Sequence, residues 1–165
     1  MSLSLIFAHD ESGGIGLANA LPWKHSDDLQ WFKAKTQGHA LLMGRHTADG
    51  FKKPLPGREH YVLSRTPYQR EGFQWISTSD VPDLQRHQTV FVIGGAQIFD
   101  YYWPYVSQVH RTLIHQTHEC DTFFKPSFSH LMLHQRTCMD AKPYQAAATF
   151  ETWINPRPQP LPPNG

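Results

Sequence analysis

Three segments of this 165-residue chain place small residues and cations where a phosphate could be held. Leu41-Leu42-Met43 runs into Gly44-Arg45-His46-Thr47, Tyr61-Val62-Leu63 into Ser64-Arg65-Thr66, and Phe91-Val92-Ile93 into Gly94-Gly95-Ala96-Gln97. Glycine lets a backbone approach an anion closely, and a helix starting after Gly94-Gly95 offers free N–H groups and the positive end of its dipole. Arg45 and Arg65, with the hydroxyls of Thr47 and Ser64, could supply the rest of an anion site. One such segment reads as a turn after a strand; three together favour phosphate. The Gly-x-Gly-x-x-Gly fingerprint is absent, so a dinucleotide would be held differently. A 2′-phosphate calls for arginine where a free ribose calls for an acid, so Arg45 and Arg65 favour NADP over NAD.

Four further segments carry chemistry or imitate it. Gly13-Gly14-Ile15-Gly16-Leu17-Ala18-Asn19-Ala20-Leu21-Pro22-Trp23 is a glycine-rich loop with large apolar residues at its end. It reads either as a loop that closes over a ligand or as a surface loop pinned in the core by Trp23. Asp28 follows in the first turn of a predicted helix, next to a buried stripe formed by Leu29 and Phe32. There it would be partly desolvated, which raises a carboxyl pKa, while the helix dipole lowers it. Taken alone it is an ordinary first-turn acid. Lys53-Pro54-Leu55-Pro56-Gly57-Arg58 is a stiff turn presenting an arginine suited to a carboxylate, or a plain surface turn. His110, His115 and His118 invite a metal reading. On a strand His110 and His118 share one face and His115 the other, and their spacing matches no zinc motif, so solvated strand histidines and no metal are expected.

These groups need a scaffold that brings strand ends together. Apolar or β-branched runs predict strands at Leu3 to Ala8, Ala40 to Met43, Tyr61 to Leu63, Trp75 to Ser77, Thr89 to Ile93, Val109 to Thr117, Leu131 to Thr137 and Ala147 to Ile154. Helices are predicted to start at Ser26-Asp27-Asp28, Ser79-Asp80-Val81-Pro82 and Ala96-Gln97-Ile98. Strands alternating with helices imply parallel crossovers, whose C-terminal ends share one edge. The last three strands have no helix between them and should pair antiparallel. The expected fold is α/β: a mixed, mostly parallel eight-stranded sheet with about four flanking helices.

Composition narrows the class. The length suits one domain, here 1–154, followed by a proline-rich tail, 155–165, expected to be a solvated polyproline-II segment. Pro160 and Pro163 have PxxP spacing, a pattern too short to be specific. Fifteen Lys and Arg against 14 Asp and Glu leave +1, without the basic excess of a nucleic-acid binder. The 11 histidines make the surface far more basic just below neutrality than the isoelectric point suggests. No apolar run reaches the about 18 residues of a membrane span, and the first residues lack the basic start of a signal peptide. Two cysteines fit a reducing compartment, so a cytoplasmic enzyme or small-molecule binder is expected.

Taken in order, Ile15-Gly16, Leu21-Pro22-Trp23, Asp28-Leu29-Gln30-Trp31-Phe32-Lys33, Met43-Gly44-Arg45-His46-Thr47, Pro54-Leu55-Pro56-Gly57-Arg58, Leu63-Ser64 and Val92-Ile93-Gly94-Gly95 are far more specific than any one alone. The chain resembles a bacterial chromosomal-type dihydrofolate reductase. The likeness is close from Leu3 to about Tyr102 and looser from Val109 to Ile154, where Thr112, Asp121-Thr122 and Phe150-Glu151 still fit. The resemblance implies NADPH-dependent reduction of 7,8-dihydrofolate to tetrahydrofolate, with hydride going to C6 and a proton to N5, by a monomer.

It also implies roles. Asp28 would bond the pterin, with Leu21, Trp23 and Thr112 completing the catalytic set. Ile6, Phe7, Leu29, Phe32, Phe51, Leu55, Ile93 and Thr112 would line the folate pocket. Arg58 would bind the glutamate α-carboxylate with Lys53 nearby. Gly94 and Gly95 would meet the pyrophosphate, and Arg45, Ser64 and Arg65 the 2′-phosphate. Ala8, Ile15, Gly16, Asn19, Ala20, Gly44, His46, Thr47, Leu63, Ser77, Ile93 and Ala96-Gln97-Ile98-Phe99 would complete the cofactor's surroundings. Gly16 to Trp23 would be the mobile loop. Phe7 stands where the family usually has a small residue, and Ala48 where a bulky one is common. Two alternatives remain: a pteridine- or pyrimidine-type reductase on the same scaffold, against which Asp28 and Arg58 argue, and a catalytically silent NADP- or folate-binding module.

Overall fold

The computed structural model describes residues 2–163. β1 (Leu3–His9) and a short β2 (Gly14–Gly16) precede α1 (Ser26–Thr36), β3 (Ala40–Gly44) and the five-residue α2 (Arg45–Asp49). β4 (Glu59–Leu63), β5 (Gln74–Ile76), α3 (Val81–His87), β6 (Val90–Gly94) and α4 (Ala96–Tyr102) follow. β7 (Gln108–Ile114), β8 (Thr122–Phe123), β9 (Met132–Met139) and β10 (Ala148–Ile154) close the chain.

Eight strands form one sheet in the order β5-β4-β3-β6-β1-β7-β10-β9. Among the described residues, β10 runs opposite in direction to the other seven strands of this sheet. All eight predicted strands are present, and the antiparallel pairing of the last three arises because β10 inserts between β7 and β9. The insertion is held by charge as well as by backbone bonds. Glu151 on β10 is buried and accepts from Arg111 of β7 and Arg136 of β9, at 2.7 and 2.6 Å. Burial pushes its carboxyl pKa up, but bonds from Trp153 and the two arginines outweigh that and hold it low.

Side chains alternate across β1, and the alternation sorts the core into two faces. Leu3, Leu5 and Phe7 pack with Val81, Phe99 and Tyr102, under α3 and α4. Ile6 packs with Leu41, Met43, Ala48 and Phe91, under α1 and α2. Full burial of each such Leu, Ile or Phe contributes about 1.5–3 kcal/mol.

Four expectations need correction. β7 stops at Ile114, so His115 and His118 lie beyond the strand. His110 is not solvated: it is buried, its Nδ1 is 3.0 Å from Thr152 Oγ1, and burial, with Lys35 nearby, pushes its pKa down to about 4. Leu29 does not join a buried stripe; α1 packs through Trp31 and Phe32, and Leu29 is half-exposed. The tail is not simply solvated. Asn155 is buried with its amide on Val106 O, Gln159 N–H reaches Pro104 O, and Leu161 packs on the main core. Asn164 and Gly165 lie outside the described residues. Among the described residues no helix is long and apolar enough to cross a membrane.

Candidate active site

The parallel strands β1, β3, β4 and β6 end on one edge, and the predicted anion residues gather there. Gly94, at φ +137, has a backbone that side chains rarely adopt. A Cβ there would come within 3.2 Å of Thr47 Oγ1 and 3.7 Å of Phe99. The Gly94–Gly95 peptide is cis. Gly95 differs from Gly94: its φ is −83, and a Cβ would meet nothing nearer than Thr47 Oγ1 at 3.9 Å. Neither conformation nor packing requires glycine at 95, so the space above it is open. At Gly44 a Cβ would lie 3.4 Å from Ile98, so β3 and α4 approach closely. Ala96 and Gln97 open α4. Phe99 turns inward against Phe7 and Phe124, so its side chain backs the glycines and does not face the cleft.

At the ends of β3 and β4, Arg45 Nη1 donates to Thr66 Oγ1 at 2.7 Å, and Thr66 Oγ1 is 3.3 Å from Ser64 Oγ. Arg45, Ser64 and Thr66 therefore form one exposed cluster, with Arg65 and His46 exposed and Leu63 buried beneath. Thr66 went unassigned in the sequence, although it lies in the Ser64-Arg65-Thr66 segment. Ser77 is committed elsewhere: it forms a capping box with Asp80.

The second group lies where α1 crosses the sheet. Asp28 is buried on the helix's first turn. The helix is capped not by Ser26 or Asp27 but by His25, whose Nδ1 accepts from the Asp28 N–H at 3.1 Å. Burial raises the Asp28 carboxyl pKa; a hydrogen bond from the Thr112 hydroxyl and the neighbouring His25 oppose the rise. Thr112 is buried on β7, opposite Ala8 and Phe150 in register. Phe32, Phe51, Leu55 and Ile93 pack with Ile6 on the same face of the sheet as α1. Leu29 presents its apolar side chain to the open side. Phe7 is the exception: its side chain lies on the opposite face with Phe99 and Phe124, so it does not line the pocket that carries Ile6.

Arg58 is held rather than free. Its Nε donates to Thr36 Oγ1 at 2.9 Å, Nη2 to Lys33 O at 2.6 Å, and Nη1 to Pro56 O. Desolvation lowers its pKa. These bonds fix the guanidinium at the C-terminal end of α1 and leave two N–H groups for a ligand. Lys53 is exposed nearby on the turn.

The glycine-rich loop resolves into an anchored base and a bare tip. Trp23 is buried with Ile114, Ala148 and Phe150, whereas Ala18, Asn19, Ala20 and Leu21 are exposed. Leu17 and Ala20 bridge, with Ala18 and Asn19 at φ 51 and 63. Ile15 packs on the core, and Gly16 pairs with Thr122. The base depends on a residue the sequence reading passed over. Asp10 is fully buried and accepts from the Ser12 N–H and hydroxyl, the Gly14 N–H and the His118 N–H, at 2.6–2.9 Å, with Cys120 Sγ 3.6 Å away. Burial pushes its pKa up, but these bonds prevail and hold it far below the usual carboxylate range. Among the described residues no His, Cys, Asp and Glu cluster could hold a metal.

A family model described as dihydrofolate reductase matches residues 2–154. The dihydrofolate reductase of Bacillus subtilis (strain 168) is 39% identical over 129 residues, 76% of each chain. Dihydrofolate reductase type 9 of Escherichia coli is 33% identical over 171 residues, 95% of each. A solved structure, dihydrofolate reductase from Enterococcus faecalis complexed with NADP(H) and RAB-propyl, superposes with a TM-score of 0.86 at 32% identity, covering 94% of this chain and 97% of that one.

Proposed function

Because this chain belongs to the dihydrofolate reductase family, we infer that it reduces 7,8-dihydrofolate to 5,6,7,8-tetrahydrofolate with NADPH. The observation that carries this reading is Asp28, a buried carboxyl with a raised pKa, bonded by the Thr112 hydroxyl. Reduction places a hydride on C6 and a proton on N5, and a pterin protonated at N5 is a cation. One buried anion in a low-dielectric cleft stabilises that cation far better than it could in water. Asp28 and Thr112 would hold the pterin. Ile6, Leu29, Phe32, Phe51, Leu55 and Ile93 would cover it, and Arg58 would take the α-carboxylate of the glutamate. The loop from Gly16 to Trp23 would exclude water by closing its bare tip, Ala18 to Leu21, with Trp23 as the fixed end.

The open space above Gly95 fits a diphosphate, and the Arg45, Ser64, Thr66 and Arg65 cluster fits a 2′-phosphate. Bound there, NADPH supplies the hydride. Gly44, Thr47, Ala96, Gln97 and Ile98 would frame it. In this reading the enzyme works as a cytoplasmic monomer, with free Cys120 and Cys138 suited to a reducing compartment.

The decisive experiment is a steady-state assay of NADPH oxidation with and without dihydrofolate, repeated with NADH. Dihydrofolate-dependent oxidation, with NADPH preferred, is expected; turnover only with a ribosylamino-pyrimidine would overturn the assignment. Gly95→Ala tests the cofactor site separately. Its methyl group meets no protein atom closer than 3.9 Å, so thermal stability should be kept. It occupies the space assigned to the diphosphate, so NADPH affinity should fall by at least about tenfold, equivalent to about 1.4 kcal/mol. Cofactor titration by fluorescence quenching reads this directly, and unchanged affinity would remove Gly95 from the site.

A further inference from the structure

We propose that His25 is a positioning residue for Asp28, and that its neutral imidazole couples the Asp28 carboxyl to the connection between β9 and β10. The proposal rests on the reading of Asp28 given above. The first turn of a helix leaves N–H groups without partners, and Ser, Thr, Asp or Asn normally accepts from them. Ser26 and Asp27 stand at the right place, yet both are turned to Gln145: Ser26 Oγ is 3.2 Å from its side-chain oxygen, and Asp27 takes its amide and Lys142 Nζ. The cap falls to His25.

The two ring nitrogens have partners of opposite kind. The Asp28 N–H can only donate, so Nδ1 at 3.1 Å must carry a lone pair. The Ala146 carbonyl can only accept, so Nε2 at 2.9 Å must carry the proton. Together they select one neutral tautomer. A second proton on the ring would sit on Nδ1, where it faces the Asp28 N–H and breaks the cap. The ring is buried, edge-on to Phe150, whose other neighbour is Trp31 of α1.

The charged and titratable groups around His25 come from every side. Asp27 and Asp28 belong to α1 and Lys24 precedes it; Lys142 and Tyr144 come from the connection, and His118 from the segment after β7. Loss of the cap would fray the turn and let water reach the carboxyl, weakening the burial that raises its pKa.

The test compares His25→Asn with His25→Leu. Asparagine offers a side-chain oxygen to the same N–H; leucine offers nothing. Single-turnover hydride transfer at neutral pH should stay near wild type in H25N and drop roughly tenfold in H25L. NADPH affinity should be unchanged in both. A purely structural histidine would lower the melting temperature in both variants and leave hydride transfer near wild type in both. Equal rate losses in H25N and H25L, or a wild-type rate in H25L, would overturn the proposal. The ¹³C shift of the Asp28 carboxyl, followed against pH, reads the positioning without turnover: its titration should move toward the ordinary carboxylate range in H25L and stay raised in H25N, and identical titrations in the two variants would overturn it. If H25L does not fold, H25N decides alone, and a carboxyl titration displaced from the wild type overturns the proposal. Failure of the folate assay would thus not be mistaken for failure of the coupling.

Discussion

Asp28→Asn is expected to reduce dihydrofolate turnover at neutral pH by about 10²–10⁴-fold, the range supplied by a positioned acid–base group. Asparagine has the same shape and can remain on the same helical turn. It cannot carry the negative charge that a protonated pterin needs. NADPH binding should be nearly intact, because the glycine edge is built from other strands. Unfolding is not an alternative explanation. Burial raises the Asp28 pKa, so its stability contribution declines as pH rises through the ordinary carboxylate range toward the raised value. At neutral pH the buried carboxylate works against folding, and the variant should melt at the same temperature or higher. The pH profile should change as well. The wild-type rate should decline as pH rises and N5 of the bound pterin loses its proton, whereas the variant, without the stabilising charge, should begin that decline at lower pH. Stopped-flow hydride transfer and a melting curve on the same sample decide the matter; near-wild-type turnover would exclude the role.

Asp10→Ala should have the largest effect on stability, about 3–5 kcal/mol, because it leaves several buried N–H donors without their acceptor, each costing about 1–3 kcal/mol. The amides of Ser12, Gly14 and His118 would lose their acceptor, and water reaches this site poorly. Asp10→Asn should do little better, since its NH₂ group would face donors. The native pKa is depressed, so the stabilisation is complete above the ordinary carboxylate range and disappears as pH falls below it. Urea denaturation at neutral and acid pH should therefore show the wild type losing stability on acidification more steeply than Asp10→Ala. A midpoint unchanged at neutral pH would falsify this account.

The sheet was legible because eight apolar or β-branched runs each coincide with a strand, a pattern that survives uncertainty about their ends; β1, β3 and β6 are buried on both faces, whereas the edge strands β5 and β9 are largely exposed. β2 and β8 were not, because strands of three and two residues in glycine-rich chain have no period to detect. The phosphate edge was legible from glycines and arginines following strands. Which way a side chain faces was harder. Phe7 and Leu29 look like pocket-lining and core residues respectively, yet strand alternation turns Phe7 to the α4 side and helix rotation turns Leu29 outward. His25 was hidden by two better-known capping residues beside it. Asp10 carried a usable signal, since Asp two residues before Ser is the pattern of a side chain bonding its own backbone. Its links to His118 and Cys120 cross more than a hundred residues and have no local trace.

The place of β10 in the sheet has a consequence for how the protein is made. A ribosome delivers β7 and β9 first, and the strand that belongs between them last. Until Glu151 has emerged, Arg111 and Arg136 have no carboxylate between them, and β7 is a bare edge open to other polypeptides. A chain ending short of Ile154 would leave that slot unfilled and the two arginines facing each other across it.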